Sequence, residues 1–371
     1  MPGEREAAAR AWPVVHDAFT EREPVPWPRR RSRPLLGLAA VLALLAAVVS
    51  SPGRAVLREV REAIGVERSA PALFSLPTPG RLLVESRAGA WVVQPDGSKR
   101  LLSRYREAAW SPFGRFVAGT RRNELVALEP DGNVRWTLAR PRVAFPQWGG
   151  SRVDTRVAYL SGGELRVVAG DGRNDRSVAA RARRAQPAWR PGSAHVLSFA
   201  APTGRVVTVD VDRRVRLWSA RPVRAIQHLE WSRDGRLLLV QASRALVVLG
   251  ADGRQRFDLL GPKAAPVETA RFAPSGSAVA FVQRARGGSQ LWVIPRLRPD
   301  GSAARRVFSG AGRFTGLEWS PDGRWLLVAW KDADQWVFIR SAHVRRIRAV
   351  SGISAQFDGG RFPSLAGWCC A

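Results

Sequence analysis

Eight polar residues stand one to three places ahead of a recurring aromatic: Glu107, Gln147, Gln186, His228, Glu230, Arg271, Glu318 and Gln356. Carboxylates and an imidazole in such a set are the materials of general acid–base work or of a hard-cation site. They also suit the wet wall of a channel, because polar side chains recur there whatever the channel does. Their spacing along the chain matches no metal-ligand pattern. The sequence reading is therefore a binding surface lined by Glu107, His228, Glu230, Arg271 and Glu318, with no catalytic residue, metal or cofactor assigned. An enzyme acting inside the channel is the weakest alternative.

Other chemistry is sparse. The chain has no G-x-S-x-G elbow, no H-E-x-x-H, no phosphate loop and no paired C-x-x-C. His16, His195 and His343 are isolated. Cys369 and Cys370, the two cysteines of the chain, are adjacent, so they build neither a disulfide framework nor a tetrahedral metal site. A bond between neighbours is strained, and a pair of partly buried thiols is the expectation.

The elements that must position these side chains are repeats. Aromatic or apolar heads fall at Leu76, Trp110, Trp148, Trp189, Trp231, Phe272 and Trp319, spaced by 34, 38, 41, 42, 41 and 47 residues. Each precedes a glycine-containing turn and then an alternating apolar run such as Leu237-Leu-Leu-Val, which reads as a strand. A second mark, Asp-Gly at 96–97, 131–132, 171–172 and 252–253, lies 20 to 23 residues beyond its head and marks a hairpin needing positive φ. Blades four, six and seven lack it at that offset and should have altered outer hairpins. A period near 40 with such turns predicts an all-β, seven-bladed propeller, with six blades as the alternative if the Leu76 unit is only a linker. Fifteen tryptophans beside two tyrosines agree with a repeated packing role.

Trp319-Ser-Pro-Asp-Gly-Arg324 followed by Trp325-Leu-Leu-Val, with weaker copies at Trp110 and Trp231, resembles the repeat of TolB-like, WD40-like bacterial propellers. The resemblance spans about residues 72–371 and implies fold far more than function. The α/β domain that precedes the propeller in TolB is missing here, so its partners do not carry over. At the chain ends, only Ala72-Leu-Phe-Ser precedes the first head. Ile353-Ser-Ala-Gln-Phe357, with Gly360-Arg361 behind it, reads as a closing strand that completes the first blade and seals the ring.

Residues 34–53 carry no charge and Leu35–Val49 is a continuous run of Leu, Ala, Val and Gly, long enough to span a bilayer. A 33-residue polar stretch precedes it and no clean small-x-small cleavage site follows, which favours an uncleaved anchor over a signal peptide. Arg29, Arg30, Arg31 and Arg33 on its N-terminal edge face the more dilute Arg54, Arg58 and Arg61. The positive-inside rule then places the N-terminus in the cytoplasm and the propeller outside. The domain reading is a cytoplasmic segment 1–33, a transmembrane helix 34–53, a juxtamembrane helix and linker 54–71, and a propeller 72–371.

The formal charge is +28, of which residues 1–33 carry +2 and residues 54–71 carry +1, leaving +25 on the propeller. All cations but Lys99, Lys263 and Lys331 are arginine, a skew that codon bias explains in part. Nucleic acid is not an expected partner, because the aromatics that would stack on bases sit in the heads. Anionic lipid or cell-wall polymer suits the charge better. The leading function is a membrane-anchored, exported binding or scaffold module with an unidentified protein partner. The alternative is a transmembrane, anti-sigma-like regulator with an extracytoplasmic sensor propeller.

Overall fold

The computed structural model describes residues 75–370 except 193, 261–263, 275, 277, 299–302, 343–345, 358 and 359, together with the backbone of residues 66–71. These belong to the compact unit Ala55–Ala371. The anchor segment 34–53, the helical pattern at 51–65 and the N-terminal 33 residues lie outside the described residues. Among the described residues no helix is long and apolar enough to cross a membrane.

Seven antiparallel sheets follow one another among the described residues, one per sequence repeat. Inner strands run Ala108–Trp110, Val143–Gly150, Ala188–Trp189, Ile226–Trp231, Val267–Phe272 and Phe314–Trp319 in blades two to seven. The second strands read as unbroken apolar runs because a neighbouring blade covers each face. Leu238, Leu239 and Val240 are completely buried. Fourth strands such as Val134–Ala139 are largely exposed and polar. The core is accordingly seven separate apolar clusters, each shared by two adjacent blades. A parallel fifth strand, Val66–Pro71, borders Ile347–Ser351 at the outer edge of blade seven.

The repeated turn has a mechanism. Ser320 Oγ accepts the Trp325 N–H at 2.9 Å and donates to Asp322 at 2.6 Å, and Ser232 does the same with Leu237 and Asp234. The following glycine, at φ 69° in Gly323 and 67° in Gly235, takes a left-handed conformation that an L side chain resists. The Asp-Gly turns join third to fourth strands, with Gly97, Gly132, Gly172 and Gly253 all at positive φ. Blade four, which lacks that glycine, turns through Arg214 at φ 58° while Asp210 caps the N–H groups of Asp212 and Arg213.

The closing strand lies elsewhere than the sequence placed it. Ile353–Gln356 is a short helix. Ile353 and Phe357, four apart, are both buried, Phe357 packs edge-on to Trp91, and Asp334 holds the N–H and hydroxyl of Ser354. An apolar pair at i, i+4 is a helical signature that the strand reading overlooked. Ser364–Cys369 is the strand that completes blade one, pairing with Arg81–Glu85. Trp368 opposes Leu82 there as Trp231 opposes Leu238 and Trp319 opposes Leu326. The plug of blade one is thus Trp368 and not Leu76, which is buried outside any strand with its N–H on the Pro95 carbonyl. Cys369 and Cys370 are joined as a disulfide, not held as two thiols.

Candidate functional site: the channel cluster

Side chains one and three places before a head share a face of the inner strand, by the two-residue period of a strand. That rule brings Gln186 of blade four, His228 and Glu230 of blade five, Arg271 of blade six and Glu318 of blade seven around one cavity system. Arg271 reaches Glu318 Oε1 at 3.2 Å and donates to its own strand's Ala270 carbonyl at 3.0 Å. Glu230 Oε2 accepts the Phe272 N–H at 3.1 Å. His228 Nδ1 lies 3.0 Å from Gln186 Oε1, and its Nε2 is buried without a hydrogen-bonding partner among the described residues, 4.0 Å from Glu230. A cavity of about 610 Å³ opens on His228, Gln186, Arg271 and Glu318. A second, of about 190 Å³, shares Arg271 and Glu318 with it and reaches Glu230 and Trp319. The ion pair therefore stands between the two.

Enclosure sets the charges. Burial, helped by the Arg271 cation, holds His228 well below the ordinary imidazole value, so the ring is neutral. Burial pushes Glu230 up to about 7 against the pull of Arg271 and the Phe272 N–H. Burial likewise raises Glu318, with Arg271 opposing. Burial works against the charge of Arg271, but Glu318 and Glu230 outweigh it and keep the guanidinium firmly protonated.

The other expected residues fall differently. Glu107 of blade two accepts the Phe145 N–H of blade three, and burial raises its carboxyl. It meets the cavity only through Phe145 and Arg184, which both line it. Gln147 keeps its carbonyl on the Trp189 indole at 3.0 Å. Gln356 is not in the channel: it sits on the short helix and accepts from Lys99 Nζ at 3.0 Å.

Glu85 was missed by sequence. It lies on the second strand of blade one, outside the head register, and accepts the Ala108 N–H at 2.7 Å. Burial pushes it up to about 7. With Glu107 and Glu230 it completes a pattern in which a carboxylate of one blade caps a backbone N–H of the next. Gln241 does the same for Ala270, and Ser289 for Phe314.

A raised carboxyl has a stability consequence with a definite sign. Folded Glu230 binds its proton up to about pH 7, whereas the unfolded group releases it near 4.5, so its contribution is full below 4.5 and declines as pH rises toward 7. Glu230→Gln keeps an acceptor for the Phe272 N–H and removes the titration. The variant is expected to melt several degrees above the parent at pH 8, with the gap closing toward pH 5. Scanning calorimetry at the two pH values checks this.

No family model matches the chain, and no curated protein does. Solved structures do resemble it. The β-propeller domain of Cps50 (Swd1) from Myceliophteria thermophila aligns at TM-score 0.54 and 15% identity, over 66% of this chain and 85% of that one. A proposed 6-phosphogluconolactonase from Bacteroides uniformis aligns at TM-score 0.54 and 15% identity, over 77% and 98%. Hydrazine synthase from Kuenenia stuttgartiensis aligns at TM-score 0.50 and 13% identity, over 63% and 76%. Likeness at such low identity establishes the propeller fold and nothing about activity.

Proposed function

We propose that the chain is a membrane-tethered, exported propeller of the TolB-like kind that works as a binding or scaffold module. The observation that carries the binding reading is the use made of the buried carboxylates. Glu85, Glu107 and Glu230 each cap a backbone N–H of the following blade, and Glu318 is held by Arg271. Groups committed to holding strands together are poorly placed to act as acids or bases, whereas the cavity beside them accepts a polar ligand. Channel chemistry is the second reading. It is favoured by the unpartnered Nε2 of His228 beside a carboxyl near 7.

The tether rests on the uncharged stretch 34–53 and on the arginines at its N-terminal edge. In this reading the chain crosses the membrane once, with the N-terminus in the cytoplasm. Protease added to spheroplasts is expected to digest everything beyond Arg54 and to leave a protected N-terminal fragment. Digestion of the N-terminal segment with protection of the propeller overturns the proposed topology.

A further inference from the structure

The head turns of adjacent blades two and three depart from the Ser-x-Asp-Gly form of blades five and seven, as those of blades four and six also do, but in blades two and three the departing residues touch. In blade two Phe113 stands where blades five and seven have Asp234 and Asp322, the carboxylates that receive the turn serine. The turn itself survives, with Ser111 Oγ accepting the Phe116 N–H at 2.9 Å. The ring that replaces the cap is 37% exposed. In blade three the first hairpin is two residues longer than in blades two, five, six and seven, and one longer than in blade four, where Trp189 pairs with Leu197 eight places on. Trp148 pairs with Val157, nine places on, whereas Trp110, Trp231, Phe272 and Trp319 pair with residues seven places on. Gly149 and Gly150 permit the extension, since a Cβ on Gly149 would meet the Trp189 ring at 2.1 Å and Gly150 stands at φ 101°. The extra length lifts Val153 to 96% exposure, and Arg152 lays its guanidinium over Phe113 at 4.7 Å. Closing the ring requires neither feature, because the other blades close without them.

Beneath this tip is a cleft of about 600 Å³ between blades two and three. Phe116, Trp136 and Trp148 line it, and the Phe116 and Trp148 rings stack at 6.0 Å. The Trp148 indole is 6% exposed and its N–H has no acceptor among the described residues. Trp110, Trp319 and Trp368 share that condition, so the orphan N–H supports the cleft without singling it out; the contact of Arg152 with Phe113 between two departing turns does that. The rim carries Arg135, Arg152 and Arg156 against Asp154 and Asp171, an excess of cations. Arg156 is engaged by Asp154, and Arg135 by Glu129 at 3.4 Å. Arg152, and Arg115 stacked on Phe116, have no carboxylate partner among the described residues.

We propose that this cleft docks an acidic peptide segment of a partner protein. The segment lays one large apolar side chain against Phe116 and Trp148, sets carboxylates on Arg115 and Arg152, and packs over Val153. A cleft of this size beside Val153 and Phe113 admits an inserted side chain, whereas a membrane surface would call for several apolar side chains projecting in one plane. The inference does not depend on the channel cluster or on export, so it stands or falls separately from the function proposed above.

The test selects phage-displayed random dodecapeptides on the detergent-solubilised full chain and measures synthetic winners by fluorescence anisotropy. Winners are expected to combine Asp or Glu with one large apolar residue and to bind at least tenfold more weakly to Arg152→Glu and to Val153→Asp. Both positions are exposed, so these variants keep the fold, which an unchanged melting temperature verifies. Val215→Asp, at an exposed valine of blade four, is expected to leave binding unchanged. Peptides without an acidic preference, or affinity indifferent to Arg152→Glu, overturn the proposal. So does Arg152-dependent binding of phosphatidylglycerol vesicles with no peptide selected, which would assign the rim to lipid.

Discussion

Deletion of residues 364–371 is expected to abolish cooperative melting of the propeller, not to fray one end of it. The deletion removes one strand of the twenty-nine among the described residues, yet that strand is the inner strand of blade one and joins the two ends of the ring. Without it, Arg81–Glu85 loses its inner partner and presents an unpaired edge to other chains. The cluster between blades seven and one loses Trp368, which packs edge-on to Phe338 at 5.8 Å. The cluster between blades one and two loses its cover from Ala366. Ring closure couples every inter-blade cluster to this single strand, so the expected result is aggregation on expression or a broad, non-cooperative melt by circular dichroism. A variant that melts like the full chain would show that blade one is held by other means.

Trp319→Ala and Trp231→Ala are each expected to cost about 3 to 5 kcal/mol, the usual range for truncating a buried large aromatic. Trp319 is 7% exposed and fills the cluster between blades six and seven beside Ala273, Val293 and Leu326. Trp231 is 5% exposed, fills the cluster between blades four and five, and donates its indole N–H to Ser198 Oγ at 3.1 Å. Neither cavity can collapse, because the blades on both sides are fixed by their own ladders. Trp27→Ala, in the polar stretch ahead of the uncharged segment, is expected to leave the propeller's urea midpoint unchanged. Similar losses at all three positions would contradict the assignment of heads to blade interfaces.

The head register was legible because a propeller repeats one local solution. An aromatic plug, a serine that closes the turn, a glycine at positive φ and an apolar strand are local requirements, and local requirements leave marks at fixed offsets. The same register puts His228, Glu230, Arg271 and Glu318 on inward strand faces, since a strand's side chains alternate with a period of two, and in the structure these four line the two cavities whereas Glu107 does not. It failed at Gln356, where Ile353 and Phe357 have a helical spacing that an aromatic followed by glycines disguised as a head. It also passed over Glu85, whose work is done across a blade boundary and is invisible along the chain.

By itself, then, the sequence determined the propeller class, the heads of blades two to seven and the strand faces that carry the polar residues ahead of them, with seven blades preferred over six, because all of these follow from short-range periodicity. Only the tertiary structure decided which segment closes the ring. Trp368 and Leu82 are 286 residues apart in sequence and meet solely through the curvature accumulated over seven blades. It also decided the protonation of Glu230 and His228, which depends on how far the ring encloses them and on an arginine contributed by the next blade. Burial and long-range pairing are properties of the closed ring, and no window of adjacent residues contains them.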